Sequence, residues 1–506
     1  MSLIHSESAH TFALLTPKHC PPRPADYIGT ELEQWLKYVP PAGSLAAIDF
    51  ETRGNDITDP DFAAVGIGIA SEAGLAYLDL RGLSKDEVSK VYTRIRTLKL
   101  IGHNVMFDGG VLQVEDPGKP WPRWEYCTFG LYKQLAGEGF FGQQWGLKPA
   151  QVDLLLWEDK GDIRLVEWLA ENGHFKGTSK SVDKGKMYLA PTDILGEYCC
   201  DDAWSTWLLY HEIFEPLLRR FPQVRRYHRE EFMTLDRLLI AQQIRGAGVN
   251  RDKLLGWHSH LTSEIERAAE SFLARPEVQP TLARRRDKFL DEHDKKEPAE
   301  LTKKGAVSKN WLKWKAKREA IESRSPAELL NLNSGQQLAE LFYGDLGFEI
   351  EVKTDSGAGS TGEDALLGFG ELGQLLIARG KSDKELEYVE ACVQKSERTG
   401  RVHFQSKNPH TLTCRITGAG GLNALQIPSS QGYMECYIPD PGNVFINTDF
   451  TSLEQIVLAE DSQDPQLMKL YGPDAKRSFN LDEVTELLDN KRITYKVEDG
   501  RLVVDE

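Results

Sequence analysis

Four acidic residues in three widely separated blocks constrain the fold of this chain most. Asp49 and Glu51 lie two residues apart in the apolar run AAIDFETRG, whereas Asp108 and Asp202 stand in IGHNVMFDGG and EYCCDDAW. A spacing of two places both side chains on the same face of a strand. Tyr198 precedes Asp202 by four residues, one helical turn, so phenol and carboxylate can share a helix face. The pattern predicts a mixed α/β domain that brings these groups together.

Such a cluster of carboxylates has a chemical use. Hard divalent cations such as Mg²⁺ take oxygen ligands. Two of them about 4 Å apart can activate an attacking water and stabilise the leaving oxygen of a phosphodiester. The blocks therefore predict a two-metal phosphodiester site. Without metal, crowded like charges raise the pKa of a carboxyl group, so the cluster should be costly to form and partly protonated.

The order DxE, NxxFD, YxxxD resembles the 3′–5′ exonuclease domain of family A DNA polymerases and its DEDDy relatives, an RNase H-like α/β fold. The resemblance implies Mg²⁺ as cofactor, with Mn²⁺ as an alternative. It implies the metal ligands Asp49, Glu51, Asp108 and Asp202. It also implies that Tyr198 orients the attacking water and that Asn104 contacts the substrate, whereas Asp201 is expected to point elsewhere.

Length and composition bound the class of protein. A chain of 506 residues predicts two to four domains. No apolar run approaches the roughly 18 residues of a membrane helix, and the N-terminus lacks a signal-peptide pattern. Seven cysteines without a CxxC pair favour a reduced, intracellular protein without structural zinc. We therefore expect a cytoplasmic protein, in the host cytoplasm if the source is a phage.

The net charge of −16 argues against nucleic acid, but its distribution matters more than its sum. Basic residues concentrate at Arg219–Arg220, Arg225–Arg226, Arg284–Arg286 and Lys303–Arg318, the last interleaved with Trp311 and Trp314. Two interpretations stay open. The stripe could neutralise phosphates, or it could be the solvated surface of helices with mixed charge.

Periodicity predicts the organisation of the chain. Alternation predicts strands at Leu45–Phe50, Val65–Ala70 and Leu75–Leu80. Spacing near 3.6 predicts helices at Lys85–Leu98, Tyr198–Glu212, Glu230–Arg245 and Leu254–Leu273. Together with the resemblance, these give an extension over 1–40, an exonuclease domain over 41–215, a helical thumb-like region over 216–330, a partial polymerase palm over 331–477 and a tail over 478–506.

Later segments resemble family A polymerases in the right order. They are 229–254, 330–349 with a helix start after Ser334, 400–429, and 444–465, which resembles motif A. Residues 444–446 read as an apolar strand that delivers Asp449, followed by a helix over Leu453–Glu460. The resemblance implies that Asp449 binds catalytic metals and that Glu454 closes the sugar pocket. It also implies that Arg415 contacts primer–template or nucleotide.

Some residues depart from the family pattern. Asn423 and Gln426 match less well, and either contact substrate or hydrogen-bond a turn. Gln455 stands where motif A usually has arginine, and Cys127 stands where relatives often have an aspartate that opens a helix.

The resemblance ends near residue 477, before the fingers helix and the second palm carboxylate. The tail predicts a capped helix from Asn480 to Leu488 and a hairpin around Glu498–Gly500. Three explanations stay open. A second polypeptide could complete a split polymerase, the reading frame could be interrupted or truncated, or Ser478 could begin a split intein.

The sequence is compatible with three functions. The first is a phage-like family A polymerase component with metal-dependent 3′–5′ proofreading activity, acting on a DNA primer–template and completed by a C-terminal subunit. The second is a non-catalytic DNA-binding or assembly subunit. The third is an RNA-trimming nuclease of the same fold, which would lack the motif A extension. The complete acidic set favours the first function.

Overall fold

The computed structural model describes residues 23–24, 26–136, 145–157, 162–177, 181–301, 306–408, 415–420, 422–446 and 452–471, and the backbone of 495–498 and 501–504. The chain divides into two compact units, Met1–Ile438 and Pro439–Glu506. The domain boundaries drawn from the sequence stay predictions. Within the described ranges, no helix combines the length and apolar character that a bilayer crossing requires.

A six-stranded mixed sheet opens the first unit. Its strands are β1 Asp26–Gly29, β2 Leu45–Arg53, β3 Ala63–Ser71, β4 Gly74–Asp79, β5 Lys99–Gly102 and β6 Trp124–Cys127. They lie in the order β1-β4-β3-β2-β5-β6. Strand β3 runs antiparallel to β2 and β4, and the remaining pairs are parallel. The three strands expected from alternation are β2, β3 and β4, so that prediction is confirmed.

Nine helices of the described chain surround or follow this sheet. They are α1 Leu32–Trp35, α2 Lys85–Arg96, α3 Val105–Glu115, α4 Thr128–Ala136, α5 Leu147–Leu155, α6 Ile163–Glu171, α7 Thr192–Leu208, α8 Glu215–Arg220 and α9 Pro222–Tyr227. Helix α2 confirms the predicted helix there, and a capping box between Ser84 and Glu87 fixes its start. The helix predicted over 198–212 is the second half of α7 and the π-helical stretch Leu209–Phe214 that follows.

Both faces of the sheet are covered. Ala46, Ile48 and Phe50 of β2 pack into one core cluster, whereas Ala47 belongs to the other, together with residues of α7. Because successive side chains of a strand point to opposite faces, Asp49 emerges on the face of Ala47. The sheet therefore presents its acidic residues toward α7.

Gly68 allows α7 to approach the sheet closely. It pairs with Asp49 across β2 and β3. A Cβ atom at position 68 would lie 2.9 Å from the Sγ of Cys199 and 3.0 Å from its carbonyl oxygen. Carbon atoms in contact are normally about 3.5–4.0 Å apart. Helix α7 therefore rests on the backbone of β3.

The rest of the first unit is mainly helical. Its helices are α10 Met233–Arg245, α11 Arg251–Leu273, α12 Gln279–Asp294, α13 Lys309–Glu322, α14 Pro326–Leu329, α15 Gly335–Ala339, α16 Glu363–Leu367, α17 Gly370–Ser396 and α18 Gln431–Met434. The long helices α11 and α17 pack together. Short strands complete the unit, namely β7 Ala247–Val249, β8 Arg401–Val402, β9 Gln405–Lys407, β10 Thr417–Ala419 and β11 Tyr437–Ile438.

Three helix predictions in this part are confirmed. The predicted helix over 230–245 is α10, preceded by the π-helical stretch His228–Phe232. The predicted helix over 254–273 is contained in α11. Helix α15 begins after Ser334, whose hydroxyl oxygen accepts a hydrogen bond from the Gln337 N–H at 3.3 Å.

Replacing Gly373 with alanine should destabilise the protein. A Cβ atom at this position would overlap the carbonyl oxygen of Leu366, a backbone atom of α16 that cannot rotate away. Overpacking costs about 1–3 kcal/mol, which outweighs the gain of up to about 1 kcal/mol from alanine in a helix. Gly380→Ala on the same helix is the control, because nothing lies within 4 Å of its Cβ position. The midpoint of urea unfolding should move to a lower urea concentration for Gly373→Ala and to a higher one for Gly380→Ala.

The second unit contains the helices α19 Leu453–Ser462 and α20 Pro465–Tyr471 and the hairpin β12 Tyr495–Glu498 with β13 Arg501–Val504. Helix α19 and the hairpin confirm the predictions there, whereas the predicted tail helix lies outside the described residues. The predicted strand over 444–446 is wrong. Val444, Phe445 and Ile446 are 79%, 60% and 82% exposed and pair with no strand of the described chain. An apolar run becomes a strand only where a neighbour accepts its hydrogen bonds.

Candidate metal and phosphodiester site

Three elements bring the predicted acidic residues into one cluster. Strand β2 carries Asp49 and Glu51. Helix α3 carries Asp108 in its first turn, after Asn104 makes the turn from β5 with a left-handed backbone (φ 66°, ψ 56°). The Phe50 N–H donates a hydrogen bond to the Oδ1 of Asp108 at 3.1 Å. This bond fixes the carboxylate of α3 beside the strand that carries the other two.

Helix α7 closes the cluster from the opposite side with Asp202 and Tyr198. Cys199 on the same helix lies against β2, where its thiol is 3.5 Å from the Oδ2 of Asp49. Ligand-type atoms of Asp49, Glu51 and Cys199 all lie within 4.8 Å of one another. Burial raises the pKa of the Cys199 thiol well above its usual value. The cysteine therefore stays protonated and donates to the carboxylate.

The four carboxyl groups repel one another in a poorly solvated place. Burial raises the pKa of Asp49 well above its usual value, and Asp108, Asp202 and Glu51 raise it further. Burial, followed by the charges of Asp202 and Asp108, does the same to Glu51. Burial raises the pKa of Asp108 to about 7. Such carboxyl groups gain most from a bound cation.

The donor set fits hard divalent cations. All four acidic side chains offer oxygen, the ligand type that Mg²⁺ and Mn²⁺ take. The residues that would hold the ions are Asp49, Glu51, Asp108 and Asp202. The geometry thus supports the expected Mg²⁺, with Mn²⁺ as an alternative, and the assignment of ligands stays a proposal.

Lys148 on α5 is a member of the cluster that the sequence analysis missed. Its Nζ donates to the Oδ1 of Asp202 at 2.6 Å and lies 3.4 Å from the Oδ1 of Asp162. The same ammonium group sits 4.7 Å from the centre of the Tyr198 ring. Burial raises the pKa of Asp202, and Lys148 partly offsets that rise. A lone lysine in a helix gives no sequence signal for this contact, because it depends on how α5 and α7 pack.

Replacing Lys148 with methionine should reduce stability in EDTA. The variant keeps the apolar stem but leaves Asp202 as a buried charge without its cation, which we expect to cost about 2–3 kcal/mol. Lys184→Met is the matched control, because Lys184 is 50% exposed and forms its 2.5 Å ion pair with Asp162 near solvent. Its loss should cost under about 1 kcal/mol. Urea denaturation of both variants at pH 7.5 measures how much each loses in free energy of unfolding. Equal losses would refute the assignment of Lys148 as the buried cationic partner of Asp202.

A cavity of about 500 Å³ opens beside the carboxylates. Asp49, Asp202 and Asn104 line it together with Phe107 and Phe129. Its far wall is the hairpin β9–β10, which contributes Gln405, Ser406, Lys407 and the adjoining Asn408. Lys407 is the one lysine or arginine among the described residues that line the cavity. The cavity therefore combines acidic groups, aromatic faces and a single cationic group.

Asn408 fastens the hairpin to α10. Its Nδ2 donates to the Oδ1 of Asp236 at 2.8 Å and to the Phe232 carbonyl oxygen at 3.3 Å. Burial raises the pKa of Asp236 to about 7, although the hydrogen bond from Asn408 opposes the rise. The cavity wall is thus held by a buried polar contact between segments far apart in sequence.

Comparison with known proteins finds a family match in the second half of the chain. Residues 306–477 match DNA polymerase family A. This part of the chain is therefore similar to family A DNA polymerases. DNA polymerase I of Borreliella burgdorferi is 26% identical over 209 residues, which cover 36% of this chain and 23% of that protein. DNA polymerase I of Synechocystis is 21% identical over 291 residues, covering 56% and 24% respectively. The chain thus spans about a quarter of these curated relatives.

A solved structure shares the fold. It is the POL domain of Pol1 from M. smegmatis in complex with DNA primer–template and dNTP. The TM-score is 0.60 at 16% identity, and the match covers 92% of this chain and 70% of that one. Nearly the whole chain therefore shares its fold with part of that POL domain.

Not every residue expected from polymerase motifs can be placed. Asp449 lies outside the described residues. Glu454 is exposed in the first turn of α19, and Arg415 is exposed just before β10. Asn423 caps a short 3₁₀ turn, since its Oδ1 accepts from the Leu425 N–H at 3.0 Å. The turn interpretation of Asn423 is thus confirmed, while Gln426 lines a second cavity of about 380 Å³.

Part of the predicted basic stripe is exposed on α13. Lys309, Lys313 and Lys317 are exposed at four-residue spacing on α13, so they form one row. Arg318 instead pairs with Asp294 at 2.9 Å and also with Glu322. Both tryptophans are partly used inside the protein, since Trp314 stacks on His293 and Trp311 lies under Lys315. Within α13, the lysine row therefore faces solvent.

Proposed function

We propose that this chain is a family A DNA polymerase component of DNA replication with metal-dependent 3′–5′ exonuclease activity. The observation that carries the proposal is the convergence of Asp49, Glu51, Asp108 and Asp202, with Tyr198, beside one open cavity. Three separate chain segments deliver these groups. A purely structural role would not offset the cost of holding four mutually repelling carboxyl groups in a poorly solvated place.

The chain's own residues would have separate roles in phosphodiester hydrolysis. When bound, divalent ions supply charge neutralisation and activate water for attack on the terminal phosphodiester. Tyr198 keeps its proton, because the nearby charge of Asp202 raises the pKa of the phenol well above its usual value. It can therefore orient the attacking water by hydrogen bonding. The P–O3′ bond breaks, and a nucleoside monophosphate leaves.

The cavity would receive the 3′ end of a single strand. Phe107 and Phe129 line it, and aromatic rings stack with bases without sequence preference. Lys407 on the opposite wall would pair with a backbone phosphate. The same proposal assigns primer–template binding to the lysine row of α13 and to Arg415. Affinity for duplex DNA should then fall steeply with salt.

A 5′-labelled primer–template incubated with the chain and Mg²⁺, with and without dNTPs, tests this function. We expect a ladder of shortened primers, lost in EDTA. Retained binding without shortening would instead favour the non-catalytic DNA-binding subunit. Extension by this chain alone would refute the sequence-based expectation of an incomplete palm, and extension only after addition of a second polypeptide would support a split polymerase.

A further inference from the structure

Four arginines of the described chain line a further cavity, which the proposed exonuclease chemistry does not use. The cavity measures about 510 Å³ and shares no lining residue with the carboxylate cavity. Its charged lining residues are Arg123, Arg225, Arg226, Arg229, Glu125 and Glu230. Arg123 directly precedes the edge strand β6, whereas the other arginines lie on α9 and the π-helical stretch after it. Two distant segments therefore build one positively charged wall, with four arginines against two glutamates.

Glu125 organises one half of this wall. Its buried carboxylate accepts from the Nε of Arg123 at 2.5 Å and lies 2.9 Å from the Nη2 of Arg229. One carboxylate thus holds two guanidinium groups and leaves one positive charge uncompensated. Because each guanidinium has five donors in a fixed fork, both arginines keep donors available for a ligand.

Arg225 and Arg226 form the other half and lack acidic partners. Neither makes an ion pair within the described part of the chain. The Nε of Arg225 is buried and has no hydrogen-bond acceptor. Other described arginines with an unpaired Nε, such as Arg275 and Arg379, satisfy further guanidinium donors with Glu371 and Asp383. A buried donor without an acceptor is costly, and an oxyanion in the cavity would offer acceptors to the outer donors of the same guanidinium group.

We propose that this arginine cavity binds a phosphate-bearing ligand, with Arg225 and Arg226 as its principal contacts. Guanidinium groups bind phosphate through paired hydrogen bonds, and the volume admits a group of nucleotide size. The phosphate could come from a nucleic-acid strand or from a free polyphosphate or nucleotide. The shared chemistry is a tetrahedral oxyanion carrying more than one negative charge.

Binding to the full chain in EDTA tests the site, because no hydrolysis is needed. The probes are inorganic tripolyphosphate, measured by calorimetry, and a fluorescein-labelled twelve-nucleotide oligo(dT), measured by anisotropy. The test variant is R225Q/R226Q. The matched control is R219Q/R220Q, which removes the same charge from the preceding helix, where Arg219 pairs with Glu215 and Arg220 lies over Phe221.

We expect R225Q/R226Q to weaken tripolyphosphate binding about tenfold or more, and the control to weaken it less than about threefold. A parallel loss for oligo(dT) would identify a nucleic-acid strand as the source of phosphate, and a loss for tripolyphosphate alone would identify a small ligand. Absence of binding to the wild type, or equal losses in both variants, would overturn the proposal. Arg226 is exposed, so R226Q alone keeps the test decisive if the double variant misfolds. These results are independent of whether the chain degrades DNA.

Discussion

Replacing Asp49 and Glu51 together with alanine is expected to lower 3′–5′ hydrolysis of a labelled single strand by about 10³-fold or more. The two residues are half of the carboxyl groups at the site and come from the strand at its centre. Cations bound there would supply several kcal/mol of transition-state stabilisation, and each ~1.4 kcal/mol corresponds to a factor of ten in rate. The rate should be measured in single turnover, so that binding and chemistry separate.

The matched control is Asp59→Ala with Asp61→Ala. These exposed residues follow β2 and contact Arg398 near solvent, so their loss changes the net charge equally without touching the cluster. The control rate should stay within about twofold of the wild type, as is usual for substitutions away from a site. DNA binding in EDTA should be unchanged in both variants. Undiminished hydrolysis by the variant with alanine at positions 49 and 51 would refute the assignment of the catalytic site to these residues.

In EDTA, the free energy of unfolding is expected to fall by several kcal/mol as pH rises from about 4 to about 7. Burial raises the pKa values of Asp108 and Asp236 to about 7 in the folded protein, whereas an unfolded aspartate titrates near pH 4. Between these values the folded state holds protons that the unfolded state has released. Their stabilising contribution is therefore full below pH 4 and lost as pH rises through 7. Urea unfolding at several pH values measures it.

At pH 8, Mg²⁺ should restore stability, because it binds the folded state only. At a hundred times its Kd, the gain is about 2.7 kcal/mol per site. Two variants separate the contributing groups. D49N/E51Q should abolish the gain from Mg²⁺, whereas Asp236→Asn should keep that gain and reduce only the decline with pH. Equal stabilisation of D49N/E51Q and wild type by Mg²⁺ would contradict a metal site at these residues.

The sequence predicted the parts of this fold that local patterns control. Strand β2 follows from alternation and α11 from helical spacing, and the cap of α15 follows from Ser334. The five residues Asp49, Glu51, Asp108, Tyr198 and Asp202 could be chosen because their order and spacing resemble a family. Their proximity in space could not be read from periodicity, since it depends on long-range packing.

The contacts that could not be predicted from the sequence also depend on long-range packing. Lys148 joins the cluster through the packing of α5 against α7. Glu125 and Arg229, more than a hundred residues apart, meet only after folding. The apolar residues 444–446 resemble a strand, but an apolar run does not show whether a neighbouring strand exists to pair with it. Interactions between distant segments are the part that one sequence cannot supply.

Gly68 has no functional group, yet it sets a dimension of the candidate site. Its hydrogen atom in place of a side chain lets the backbone of Cys199 rest on β3, and the same helix carries Asp202 of the acidic cluster. The lack of a side chain at position 68 therefore sets the distance between the carboxylates of β2 and that of α7. A larger side chain at this position would therefore change the distance between the carboxyl groups of β2 and α7 without altering any of those groups chemically.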